Sequence, residues 1–430
     1  MLAPPAQAVS PLPPSRAEPP ASAASGSGVG IGSTALQGTS AALGDLGLAL
    51  LRSAPGANAV VSPLAVATVL GMVQSGAEGA TEREIEALFG AGRSGAQAMR
   101  ITLPALSAQM RQPLMAQGRE ATPVRQAARV WLDAGVAPDV LPGFKRRLAH
   151  RHAADAAVLR FADADAARDQ INRWVAEHTA GRVQELLPAG SVARSTRLTL
   201  TAALHFRSAW SQPFEADRTV ARAFATASGT PVQVPTMHDD RPVAQAVIDG
   251  VQLYALPFAA GFDLVIALPA AAAAPGSSGT GSPVQALLES ITGITFARWH
   301  AELKLPAQAP ARCSFSMPRF GFAPKAGSIK AALQQLGVRR AFTDRAELRP
   351  MLGRAGGGLQ VDDVHHAAGI AVDEAGGEAV AAAAATVKPK TMAPFLPACA
   401  VDRAFAFAVL HRASGAPLFV GRVSDPSLAE

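Results

Sequence analysis

Near its C-terminus the chain runs for twenty residues, Asp373–Met392 (DEAGGEAVAAAAATVKPKTM), with no apolar side chain larger than valine before Met392. The segments on either side, DDVHHAAGIAV and FAFAVLH, read as strands. A run of this kind has little apolar area to offer a core. Alanine is the best intrinsic helix former, so a surface helix or compositional drift is the plain reading. The rest of the chain has to decide.

With 49% hydrophobic and 17% charged residues the composition is globular. Aromatics make up only 5%, so Leu, Val, Ile and Ala must fill the core. The net charge of +6 comes largely from scattered arginines, as in FKRRLAHRH (144–152). No basic cluster is interleaved with stacking aromatics, so nucleic acid is not an expected partner. Helix-sited arginines such as Arg125 and Arg129 would be candidates for a polyanion. No run approaches the ~18 apolar residues of a membrane span. Residues 1–34 are rich in Pro, Ala, Ser and Gly and are expected to form a disordered tail, with one domain over 35–430. Cys313 and Cys399 are the only cysteines, and a single disulfide or two free thiols are both open. As a thiol beyond the small-residue run, Cys399 is expected to be exposed. Alanine- and arginine-rich usage points to a GC-rich, bacterial source.

Periodicity gives a helix over ALGDLGLALLRSA, then a short strand ending at Val60–Val61. Ser62 is an N-cap with Pro63 at the first helical position. Thr81 and Glu84 have capping-box spacing. Ala167, Ile171, Trp174 and Val175 share a helical face; RLTLTAALHFRSAW and FDLVIALP read as strands; GSIKAALQQLGVRRAF reads as a helix. FAFAVLHRASGAPLFVGRV is a hairpin turning at Ser414-Gly415, and Pro269–Pro283 is a surface loop. Helices cluster early and antiparallel strands late, an α+β order.

Enzyme signatures are missing. GSGVGIG (26–32) does not fit G-x-G-x-x-G, and there is neither a phosphate-binding G-x-x-x-x-G-K-[ST] nor a G-x-S-x-G elbow. His150, His152 and Asp155 read as exposed helix surface rather than a metal site, and His365-His366 as structural histidines in a strand. No nucleophile, base and orienter come together. No enzyme activity, cofactor or metal is expected.

Several blocks, in order, resemble the serpins: NAVVSPLAVATVLGMVQSGAEGATEREI, INRWVAEHTAGRVQELLP, LTAALHFRSAW, VPTM, MPRFGF, GIAVDEAGGEA and PLFVGRVSDP. Together they span about 36–426. The resemblance implies one domain of three β-sheets and about nine helices. It also implies a reactive-centre loop, here about 374–401, that baits a protease and inserts into the central sheet after cleavage.

That implication gives the small residues a purpose. A loop that slides between paired strands must turn one face into the core, and alternate residues of a strand share a face. Counted from the hinge, that face is Gly377, Ala379, Ala381, Ala383 and Ala385, all small; Glu378 falls on the other face. A buried unpaired charge would stall entry.

The resemblance further implies a hinge glutamate, Glu374, followed by Gly376, and a reactive bond sixteen residues on, Lys390–Thr391. A lysine before the bond suits the acidic pocket of trypsin-like proteases. Lys388 is disfavoured because Pro389 follows it; Met392–Ala393 and Phe395–Leu396 are alternatives for chymotrypsin-like enzymes. Glu374 should pair with Arg319 near Trp210 where the loop enters the sheet. Ser62 and His366 match a polar network beneath the sheet.

Some positions depart from the family pattern. Ala65 and Ala202 stand where serine and asparagine are common, so His366 is expected to lack its usual partner, with Thr201 or water as substitutes. Gly377 replaces Thr or Ser, and Ala404 replaces proline. The expected function is a suicide-substrate inhibitor of trypsin-like serine proteases, acting as a monomer through a covalent complex. A non-inhibitory carrier or chaperone of the same fold, and a polyanion-binding module, are the alternatives. The expected location is extracellular or periplasmic, with cytoplasmic as the alternative.

Overall fold

The residue pattern at 59–74 organises the molecule. Ser62 ends a short strand, its Oγ accepts from the Ala65 amide at 3.3 Å, and Pro63 opens the helix. That helix, α2 (Pro63–Gln74), is buried at every residue. An all-round apolar helix belongs inside, and α2 stands between two sheets. The computed structural model describes residues 32–90, 92–112, 114–116, 119–270, 282–304, 310–323, 326–353, 358–377 and 396–428.

The central sheet runs β5 (Ala156–Leu159), β4 (Val124–Asp133), β6 (Leu198–Phe206) and β16 (Asp363–Val372), then β17 (Gly376–Gly377) and β7 (Ser208–Ala209). β14 (Phe320–Phe322) and β15 (Gly327–Ser328) pair with β16. A six-stranded sheet runs β1 (Ala59–Val61), β20 (Pro417–Val423), β19 (Phe405–His411), β12 (Phe262–Leu268), β11 (Val251–Pro257), β10 (Ala244–Ile248). A four-stranded sheet runs β18 (Ala398–Ala400), β13 (Arg312–Pro318), β9 (Pro231–Pro242), β8 (Val220–Ala225). The hairpin β2 (Leu114–Ala116) and β3 (Arg119–Ala121) stands apart. These three main sheets with their helices form the expected α+β architecture.

The remaining helices are α1 (Ser33–Ser53), α3 (Gly79–Ala87), α4 (Arg93–Gln97), α5 (Leu103–Met110), α6 (Pro142–His152), α7 (Ala164–His178), α8 (Pro283–Ser290), α9 (Gly293–Lys304), α10 (Lys330–Gln335) and α11 (Arg349–Leu352). α2 packs on β4 and β6 from one side and on β20 from the other. On the opposite face of the central sheet, Ala167, Ile171 and Val175 of α7 join Trp131, Ala203 and Ala367 in a second apolar cluster. With both faces covered, all nine residues of β6 are buried, as its unbroken run LTLTAALHF requires.

Local readings are corrected in three places. Thr81 is no N-cap: α3 starts after Glu78, and the distant Glu347 carboxylate accepts from the Ala80 and Thr81 amides at 2.6 and 3.0 Å. The segment 327–342 is a two-residue strand, the short α10 and a single 3-10 turn rather than one helix. The arginines 125 and 129 lie on β4, not on a helix. The hairpin β19–β20 turns at Gly415, φ +71°, as expected. Most of the expected loop Pro269–Pro283 lies outside the described residues.

Candidate functional site

β6 and β16 pair directly, in parallel, from Asp363↔Thr199 to Gly369↔His205. Beyond that point they part, and the chain itself fills the gap. After Val372 it turns on Asp373, whose Oδ1 accepts from the Ala375 and Gly376 amides at 2.8 and 3.0 Å. β17 then returns antiparallel between β16 and β7, with Val372↔Gly377, Gly376↔Ala209 and Gly377↔Ser208. Gly376 sits at φ +143°, and a Cβ there would lie 2.7 Å from the Ala209 Cα, so this backbone fits only glycine. A Cβ on Gly377 would point into the core, 3.3 Å from the ring of Phe206 and 3.5 Å from Phe258.

The turn is held from three sides. The Trp210 amide donates to the Ala375 carbonyl at 3.0 Å, and its indole Nε1 to the Asp373 carbonyl at 2.8 Å. The Trp210 ring stacks on Phe258, centroids 4.3 Å apart. The Phe214 amide donates to the Glu374 carbonyl at 2.9 Å. Arg319 grips the Glu374 carboxylate through Nη2 at 2.6 Å and Nε at 2.7 Å, and Thr219 Oγ1 donates to the same oxygen. Burial pushes the Glu374 carboxyl up; the hydrogen bonds from Arg319 and Thr219 outweigh it and hold the group below its ordinary value.

Under the closed part of the sheet, His366 has both ring nitrogens engaged. Nε2 lies 3.1 Å from the Ser62 amide and Nδ1 lies 2.6 Å from the Ala202 carbonyl. The amide can only donate and the carbonyl only accept, so the proton is on Nδ1. Complete burial pushes the imidazole down to about 4, which keeps it neutral. The expectation that His366 lacks a partner is therefore corrected: main-chain groups replace the side chains that Ala65 and Ala202 do not offer. Thr201 is not the substitute; it faces the other way and accepts from Trp131 Nε1 at 3.0 Å. Ser62 Oγ donates to the Leu418 carbonyl at 2.8 Å, tying α2 to β20. Ala404, where proline is common, donates its amide to the Ala225 carbonyl at 3.0 Å, a bond proline could not make.

Glu374, Gly376, Gly377, Arg319 and Trp210 thus meet at one end of the sheet, with Ser62 and His366 beneath its closed part. Glu378, Ala379, Ala381, Ala383, Lys390 and Thr391 lie outside the described residues. Cys399 is not an exposed thiol: it is buried on β18 and disulfide-bonded to Cys313 on the neighbouring β13, Cα atoms 5.9 Å apart. His152 is buried, not on an exposed helix surface, and its Nε2 lies 3.3 Å from Ser75 Oγ. No cluster of His, Cys, Asp and Glu among the described residues could hold a metal ion. No helix among them is long and apolar enough to cross a membrane.

The family model for serpins, described as serine protease inhibitor, matches residues 43–426. This chain is a serpin. Its family is one of protease inhibitors and not of enzymes. Putative serpin-Z12 of Oryza sativa subsp. japonica is 33% identical over 390 residues, covering 87% of this chain and 86% of that protein. Among solved structures, human thyroxine-binding globulin in complex with thyroxine superimposes with a TM-score of 0.76 at 21% identity, covering 92% of this serpin and all of that chain. Native protease nexin-1 with heparin gives 0.72 at 24% identity, covering 92% and 99%. At these identities the structural likeness establishes the serpin fold alone.

Sequence reasoning missed Thr219 and the carbonyl of Ala202. Thr219 lies 155 positions from Glu374, and nothing in its neighbourhood marks it. The acceptor for His366 is main chain, so no residue type could have signalled it.

Proposed function

We propose that this serpin is a suicide-substrate inhibitor of trypsin-like serine proteases, cleaved at Lys390–Thr391. The observation that carries the reading is the two-residue strand Gly376–Gly377, already seated in the parted end of the central sheet and followed in sequence by small residues. Continuing the register from Val372↔Gly377 would set Ala379 beside Ile370, Ala381 beside Ala368, Ala383 beside His366 and Ala385 beside Val364. Val364, Ala368 and Ile370 belong to the main core, and a slot beneath them admits methyl groups and not long side chains. The new strand would be antiparallel to both neighbours and would complete their backbone hydrogen bonds.

The chemistry is the protease's own. Its serine oxygen attacks the Lys390 carbonyl carbon, the bond to the Thr391 nitrogen breaks, and the new amine leaves with the proton from the catalytic histidine. Lys390 is then an ester on the protease. Insertion of 377–386 along ten residues of β16 would carry that ester about 30 Å down the sheet. A protease dragged and distorted by this movement cannot hydrolyse its ester. His366 and the Arg319–Glu374 pair would hold the sheet until cleavage, since the active form depends on a kinetic barrier.

The Cys313–Cys399 disulfide supports an oxidising location, extracellular or periplasmic, over a cytoplasmic one. Of the two strand-borne arginines, Arg129 offers little to a polyanion, since it is paired with Asp155 at 2.7 Å and lies over the Trp174 ring, whereas Arg125 is exposed. Titration of trypsin with the protein is the test. Loss of activity at a mole ratio near one supports inhibition; progressive consumption of intact protein by active trypsin would leave only a substrate, as in a non-inhibitory carrier.

A further inference from the structure

The bait segment has two feet, and both stand at the entrance end of the central sheet. The first is Gly376–Gly377, seated between β16 and β7. The second is β18, which pairs in parallel with β13 through Ser314↔Ala398, Phe315↔Cys399 and Ser316↔Ala400. Three residues beyond Ser316, about 10 Å farther along the chain, Arg319 grips Glu374.

As a strand, β18 is a weak anchor. It has three residues, lies at the end of its sheet and pairs with β13 alone among the described residues. Ala398 is exposed and Ala400 half-buried, so Cys399 is its one side chain in the core. The Ser314 amide donates to the Pro397 carbonyl at 2.9 Å and the Val401 amide to the Ser316 carbonyl at 2.8 Å. Hydrogen bonds at a strand end open readily. The disulfide to Cys313 does not, and both of its sulfurs belong to buried residues.

What this anchor resists follows from chain length. A strand inserted over 377–386 would end about 30 Å below the entrance. In the uncut chain, eleven residues, 387–397, would then have to climb back to Ala398. Fully extended they reach about 40 Å, which leaves little for the crossing from one sheet to the other. Freeing β18 would add four residues, 398–401, and about 14 Å. The next hold is at Asp402 and Ala404, whose main-chain groups bond to Ala225 at 2.8 and 3.0 Å.

We propose that the Cys313–Cys399 disulfide is a covalent strap on the far foot of the bait, so that the segment enters the central sheet only after it is cut. This rests on the reading of 378–396 as protease bait. Any cut there falls between the two cysteines, so the strap also keeps the C-terminal chain attached to the cut protein until the disulfide is reduced.

Storage of the double variant Cys313→Ala, Cys399→Ala beside the parent tests the strap, with samples taken over days and challenged with trypsin. Chains of the variant whose bait resists trypsin should accumulate at least about tenfold faster than in the parent, uncut and with a raised thermal midpoint. Adding Ala383→Arg, which blocks entry, should keep the bait cleavable throughout. A misfolded variant would instead be degraded and melt lower. Resistance that grows no faster than in the parent, or resistance that Ala383→Arg leaves unchanged, would overturn the proposal. So would release of the C-terminal peptide from cut parent on a denaturing gel run without reductant. Fresh parent that is cut in the bait without inhibiting trypsin would overturn the inhibitor reading alone, since the strap is read from resistance to cleavage.

Discussion

Arg319 reaches 2.6 Å across the entrance of the central sheet to the carboxylate of Glu374, the residue at which β16 turns back on itself. The arginine is 44% exposed and the glutamate 12%, so solvent screens the pair only from one side. A partly exposed pair of this kind contributes up to about 1 kcal/mol. Arg319→Ala is expected to speed spontaneous loss of inhibitory activity on storage about fivefold, by loosening the turn. A variant as long-lived as the parent would show that this contact does not guard the slot.

His366 joins β16 to the Ala202 carbonyl of β6, across the seam a new strand must open. In the proposed inserted form, the register continued from Val372↔Gly377 would bring Ala383 beside it. Ala383→Arg would have to bury a guanidinium there, at a cost of several kcal/mol. Trypsin should cleave this variant at the same bond and as fast as the parent, yet escape with full activity. A stable complex formed by the variant would mean that Ala383 does not face the core.

Gly376 is seated where a Cβ would strike β7. Gly376→Ala should cost about 1–3 kcal/mol in backbone strain and unseat the first residues of the loop from the sheet. More inhibitor should be consumed per protease trapped, measured as the mole ratio needed to abolish trypsin activity. An unchanged ratio would place the start of insertion elsewhere.

Acid should destabilise the fold through its buried histidines. His152, His366 and His411 are each pushed down to about 4 from 6.5, chiefly by burial. As pH falls through 6.5 the unfolded chain takes up protons that the folded chain refuses until about 4. The stability these neutral rings contribute is therefore full above 6.5 and lost progressively toward 4, by up to about 1.4 kcal/mol per pH unit for each ring. The urea midpoint should be clearly lower at pH 5 than at pH 7.5; equal midpoints would mean that these rings already carry charge in the folded protein.

The chemistry of the hinge was legible because it lies in consecutive residues. Ser62-Pro63 wrote its own helix start, and period-two spacing put Gly377 on the core face. Contacts made by main chain or by distant residues were not legible. Glu347 replaces the Thr81 cap from 266 positions away, and the Ala202 carbonyl substitutes for a missing side chain. Arg125 and Arg129 were misplaced on a helix because VRQAARVWLD alternates weakly, and only pairing with β6 makes it a strand. The disulfide needed the sheet order, since 86 residues separate its two cysteines.

The central claim is that a protease cutting at Lys390 is trapped by the strand that begins at Gly376. Mixing the protein with an equal amount of trypsin, separating the products on a denaturing gel and weighing the released C-terminal peptide tests this directly. The account predicts a complex that survives boiling, together with a peptide running from Thr391 to Glu430. Cleavage at Thr391 with all of the trypsin left free and active would contradict the trap, and a peptide starting at any other residue would contradict the bond.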